Sequence, residues 1–120
     1  MKKLFFLASL FAALAFVLTN VGYAQDPTKV APDQYKLLFE NDRVRVLEVR
    51  TKPGETVPTH SHPDHLGYCV GPAKIKITNA DGKSEVADCK DGQVLWMAAV
   101  THSAENVGTT DLRIVVVELK

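Results

Sequence analysis

From residue 35 to the C-terminus the chain alternates apolar and polar residues in short runs, separated by turn residues. Lys74-Ile75-Lys76-Ile77-Thr78 is the clearest run. Successive strand side chains point to opposite faces, so such a run builds one apolar and one polar face. On this pattern strands are predicted over 36–40, 43–51, 56–62, 66–70, 74–78, 85–90, 93–97, 101–106 and 112–119. Turns fall at Asn41-Asp42, Lys52-Pro53-Gly54-Glu55, Pro63-Asp64, Gly71-Pro72, Asp91-Gly92 and Gly108 to Asp111. Ala80-Asp81-Gly82 predicts a hairpin between the fifth and sixth strands, because Asp-Gly tolerates positive φ. Arg43 to Val46 alternates in one phase and Leu47 to Arg50 in the other, which predicts a bulge or a strand passing between two sheets. Phe39, Val44, Val46, Ile75, Ile77, Val94, Ile114 and Val116 are the expected core. No ten-residue stretch beyond residue 24 has a helical period. The fold class is therefore all-β, a sandwich or small barrel.

The first 24 residues follow a different pattern. Lys2 and Lys3 precede an uncharged apolar run from Leu4 to Leu18, followed by a small and polar stretch ending at Ala24. This tripartite order predicts a secretory signal peptide over residues 1–24, cleaved before Gln25. The apolar run is shorter than the roughly 20 residues a membrane span needs. No cysteine lies near the cleavage point to carry a lipid. The expected location is periplasmic or secreted, with no stable membrane span after cleavage. Residues 25–34, rich in Pro, Asp and Gln, read as a flexible tether, leaving 35–120 as one barrel domain.

Loss of Lys2 and Lys3 takes the formal charge from 0 to −2. With no basic stripe, nucleic acid is not an expected partner; a small-molecule ligand or substrate is. Cys69 and Cys89 both lie in the exported part. An oxidising compartment permits a disulfide, and two buried thiols fit the sequence equally well.

The candidate chemistry lies in the histidines. His60 and His62 are two apart on a predicted strand, so both imidazoles face the same way. His102 comes forty residues later on another strand. Three convergent imidazoles suit a divalent metal such as Fe, Zn, Mn, Ni or Cu.

These residues fall in a longer pattern. Gly54, five residues, His60-Ser61-His62 and a closing Gly71 resemble the first cupin motif, which runs Gly, five residues, His-x-His, three or four residues, Glu, six residues, Gly. Gly92, then His102 and Asn106, resemble the second. The resemblance is to small single-domain cupins of the cupin-2, RmlC-like type, and His-Pro-Asp-His with a closing Glu-Asn-Val-Gly-Thr-Thr resembles those associated with β-alanine degradation. It implies a double-stranded β-helix, a jelly-roll barrel with a metal in its mouth, in which His60, His62 and His102 correspond to the histidine ligands. The family's glutamate ligand would fall at Leu66 or Gly67, neither of which can bind through its side chain. Ala98 replaces the motif proline, and the loop before His102 is one residue short.

Four further residues are candidates for the site. His65 could supply a replacement ligand, Glu105 and Asn106 adjoin the second motif, and Tyr68 could line the barrel with Trp96 and Met97. Without a carboxylate ligand a divalent ion keeps its full charge and open positions, and attracts anionic ligands. The resemblance to three-histidine cupins implies two functions: a metal-dependent dioxygenase acting on a small organic acid or thiol, or a periplasmic cupin that binds a metal or small ligand without catalysis. It also implies a homodimer paired through outer strands.

Overall fold

A computed structural model describes residues 25–120; the expected signal peptide lies outside the described residues. The alternating runs become nine strands: β1 (Tyr35–Glu40), β2 (Val44–Thr51), β3 (Thr56–His62), β4 (His65–Cys69), β5 (Ala73–Asn79), β6 (Ser84–Cys89), β7 (Val94–Met97), β8 (Val100–Asn106) and β9 (Leu112–Leu119). They form two antiparallel sheets, one in the order β1-β2-β9-β4-β7 and the other β3-β8-β5-β6. The Asp81-Gly82 hairpin joins β5 and β6 as expected, with Gly82 at φ 87°.

Leu47, Val49, Val57, Ile75, Leu112, Ile114 and Val116 are buried between the sheets. Each such side chain contributes about 1.5–3 kcal/mol relative to exposure, so this layer is the main reason the sheets stay together. Ile75, Ile114 and Val116 were expected there. Phe39 and Val94 are instead more than half exposed, on β1 and β7 at the two edges of the five-stranded sheet.

The predicted irregularity in β2 is absent. Its ladder with β9 runs unbroken from Val44–Leu119 to Thr51–Leu112. Arg45 holds the inward phase of Leu47 and Val49, and a charged residue at an inward position reads in sequence as a change of phase. The irregularity lies in the neighbouring strand, where Leu38 is an extra residue between Leu37 and Phe39.

Residues 25–34 are not a free tether. They contain a short helix, α1 (Pro27–Val30), with Asp26 as its N-cap accepting from the Thr28 amide at 2.9 Å. Pro27 and Ala31 are buried. Ser61 donates its amide to the Gln25 carbonyl at 2.7 Å and its hydroxyl to Gln25 Oε1 at 2.6 Å. The segment is fixed because it satisfies the outer edge of β3 and supplies apolar cover.

Two links cross between the sheets at opposite ends of the β4–β9 ladder. At one end Cys69 of β4 is bonded to Cys89 of β6. At the other, His62 of β3 meets Glu118 of β9. Among the described residues no helix is long and apolar enough to cross a membrane.

Candidate metal centre

His60 and His102 are directly opposed on β3 and β8, and His62 lies two residues along β3. A bulge gives β3 this geometry. Between the Val57–Ala104 and His60–His102 pairs β3 carries one extra residue, at Pro58-Thr59. Bulges of this kind re-aim side chains beside functional sites. Here it lets Val57 enter the core while His60 and His62 also face inward; in a regular strand Val57 and His60 would lie on opposite faces. Pro58 is compatible with the bulge because it has no N–H to lose.

The three rings sit close together. Ring centroids of His60 are 4.8 Å from those of both His62 and His102, and His62 is 5.3 Å from His102. One candidate ligand atom from each ring lies within 4.8 Å of the others, and all three residues are buried.

Hydrogen bonds set two of the tautomers. His60 Nδ1 lies 2.7 Å from the Pro58 carbonyl, and His62 Nδ1 lies 2.7 Å from Glu118 Oε2. A carbonyl and a carboxylate oxygen can only accept, so both Nδ1 atoms carry the proton and both Nε2 atoms keep a lone pair. His60 Nε2 is buried without a hydrogen-bond partner, and so is His102 Nδ1. Unpaired buried nitrogens are costly, and a divalent cation would satisfy them. Burial pulls the imidazole pKa down to about 4 for His60 and about 3 for His62 and His102, with neighbouring rings adding to the effect. The rings are therefore neutral near pH 7, the state in which imidazole binds a metal.

Behind the rings lies a group of residues that the motif reading did not identify. Glu118 is buried and sits between Arg45 on β2 and His65 on β4. Its second oxygen is 3.8 Å from Arg45 Nε. Burial raises the Glu118 carboxyl pKa, and Arg45 opposes that rise. Arg45 also binds Asp26 through both terminal nitrogens. Burial alone would raise Asp26, but hydrogen bonds from Arg45 and Thr28 bring it down to about 2. Tyr35 packs beneath His60 and His62, with ring centroids 5.4 and 5.9 Å away. Burial pushes its hydroxyl pKa up, and Glu118 adds to the shift. A signal for Glu118 was present in the sequence: it shares the alternation of Ile114 and Val116, which places it inward.

The other candidates separate clearly. His65 is buried and stacks on His62 with centroids 4.4 Å apart, while its Nδ1 is held by the Pro63 carbonyl at 2.7 Å. It lies beside the three-histidine cluster and outside it. Asn106 is buried at the far end of β8, where its amide donates to the carbonyls of Thr51 and Thr110 and its oxygen accepts from Gly108. It fastens turns. Glu105 is adjacent on β8, partly buried and out of phase with His102. Tyr68 points outward from β4 and is 44% exposed, so it does not reach the site. Leu66, opposite Val117 and Trp96, also faces outward. Gly67 faces inward, and a Cβ there would stand 3.2 Å from Ile114 Cγ2. A side chain at position 67 would therefore crowd Ile114, and one at position 66 would face away from the barrel. The shortened loop before His102 is pinned through Ala99, whose amide donates to Asp64 Oδ1 at 2.8 Å.

His62, His65 and His102, though not His60, border a cavity of about 270 Å³ within the barrel. Val49, Ile75, Leu95, Ile114 and Val116 line its body.

No protein-family model matches the sequence, and no curated protein matches it. Solved structures do. A cupin domain from Bordetella pertussis is 24% identical, with TM-score 0.66 over 72% of this chain and 91% of that one. An RmlC-like cupin family protein with a double-stranded β-helix fold from Methanocaldococcus jannaschii is 16% identical, with TM-score 0.57 over 71% and 77%. A predicted oxalate decarboxylase from Thermotoga maritima is 24% identical, with TM-score 0.51 over 71% and 77%. The chain has the cupin fold, a double-stranded β-helix, with a three-histidine cluster in its barrel.

Proposed function

We propose that this protein is an exported cupin that holds a divalent metal ion on His60, His62 and His102 and brings a small organic molecule to the ion's open positions, as a dioxygenase of small acids or thiols does. The carrying observation is the buried cluster itself: one ligand atom from each of His60, His62 and His102 lies within 4.8 Å of the others, and His60 Nε2 and His102 Nδ1 have no hydrogen-bond partner. The metal supplies Lewis acidity and sites for ligand and dioxygen. The protein's own residues fix the geometry. The Pro58 carbonyl and Glu118 orient His60 and His62, Tyr35 packs against both rings, and the apolar wall excludes water. Three neutral ligands leave the ion's charge uncompensated, which favours an anionic head group on the ligand.

Binding without turnover is the second reading. It is favoured by the environment of the nearest carboxylate: Glu118 is committed to His62 and Arg45, and position 67 offers no replacement. Oxygen consumption by the Fe(II)-loaded protein over a panel of small acids and thiols separates the two. Uptake dependent on one compound supports the dioxygenase; retention of a ligand with no uptake supports the binding protein.

Export rests on the tripartite N-terminal pattern, and a disulfide between Cys69 and Cys89 is consistent with it. Pairing of two copies is supported by an apolar row, Phe39–Val46–Val117–Leu66–Trp96, along registered positions of the five-stranded sheet.

A further inference from the structure

We infer that the barrel cavity selects ligands with a single anionic head and a neutral apolar body, and rejects dicarboxylates whose second carboxylate extends past the metal toward the opening, with Glu85 at its rim contributing to the rejection. This rests on the metal-centred reading above and narrows its substrate class.

The inference comes from the charge of the cavity wall. Among the described residues, none of those lining the cavity is a lysine or arginine. His62 and His102 belong to the three-histidine cluster and are committed to the metal in this reading, so neither offers a separate positive charge. Arg45 lies close by, but its guanidinium is bound to Asp26 and sits against Glu118. A metal on the three rings is thus the one place in the cavity where a carboxylate or thiolate finds a cation. The body beyond it is lined by Val49, Ile75, Leu95, Ile114 and Val116, and an ionised group without a partner is not tolerated against that wall.

The carboxylate in the inward phase at the cavity is Glu85. It shares the phase of Ala87 and Cys89 on β6, is exposed, and borders both the cavity and the surface depression beside it. Glu105 also borders the cavity but lies out of phase with His102. A ligand long enough to place a second carboxylate toward the opening brings it against like charge. The volume of 270 Å³ holds about nine water-sized groups at roughly 30 Å³ each. That matches a monoanion with a short aliphatic chain.

The test is a titration of the Co²⁺-loaded full protein with hexanoate and glutarate, read by the visible absorption of the bound cobalt. Hexanoate should bind at least about tenfold more tightly than glutarate, a difference of 1.4 kcal/mol or more. In Glu85→Gln, on an exposed strand position, glutarate should gain affinity while hexanoate does not. Equal or tighter binding of glutarate overturns the inference and leaves the metal site standing. A Glu85→Gln variant that shifts both ligands alike, or neither, removes Glu85 from it. Failure of the protein to bind Co²⁺ removes the metal-centred reading and this inference together.

Discussion

His62 Nδ1 donates to Glu118 Oε2 at 2.7 Å, across 56 residues of sequence and from one sheet to the other, with both side chains buried. This contact fixes the tautomer of one candidate ligand and ties the end of β9 to the His-x-His strand. Partners of this kind are commonly worth 10–100-fold in metal affinity. Glu118→Gln keeps the shape and removes the charge. It is expected to weaken Co²⁺ or Zn²⁺ binding by about that factor while the circular dichroism spectrum stays that of the parent. Calorimetric titration of both proteins checks it, and unchanged affinity would show that Glu118 only packs.

The histidine pKa shifts predict the pH response of the metal-free protein. The folded values, about 4 for His60 and about 3 for His62 and His102, lie below the ordinary value of about 6.5. Between these values the unfolded chain binds more protons, so stability rises with pH. The contribution is complete above about pH 6.5 and is lost as pH falls toward 3. Thermal melts of the apoprotein from pH 7.5 to 4 should show a falling Tm, and His102→Ala should flatten the slope. A flat profile in the parent would contradict buried neutral rings.

The bulge in β3 predicts the effect of a deletion. Removing Thr59 takes away the extra residue and leaves Val57 two positions from His60, so a regular ladder with β8 keeps Val57, His60 and His62 all facing inward. The expected result of the deletion is a folded barrel that still binds metal, read by metal analysis beside a thermal melt. Loss of metal from a folded barrel would show that the bulge aims the rings by more than the residue count.

The cross-link between Cys69 and Cys89 spans 20 residues and joins the two sheets. Loop-closure entropy gives it about 3 kcal/mol. For a domain of this size that corresponds to a fall in Tm of roughly 10–25 °C on reduction. A melt with and without reductant measures it, and the Cys69→Ala/Cys89→Ala double variant should match the reduced parent. Identical melts would place the bond outside the folded protein's stability.

The nine strands were legible because Ile75, Ile114 and Val116 alternate with polar neighbours and because turn residues such as Asp81-Gly82 separate the runs. The three histidines were legible because His-x-His on a strand has only one geometric outcome. The roles of Arg45, Glu118 and Asp26 were not, for one physical reason, even though alternation with Ile114 and Val116 already places Glu118 inward. Their inward positions are tolerated only because they pair with each other or with His62, and each partner is distant in sequence. Read strand by strand, Arg45 looked like a break in phase and Asp26 like part of a tether. The bulge at Pro58-Thr59 was equally hidden, since the count of residues on β3 acquires meaning only against β8.

The most direct test of the central claim is the metal content of the purified protein, measured by elemental analysis beside His60→Ala and His102→Ala. The expected result is about one equivalent of a divalent transition metal in the parent and its loss in both variants. Less than about a tenth of an equivalent after metal supplementation, unchanged by either substitution, would contradict a metal centre on these histidines.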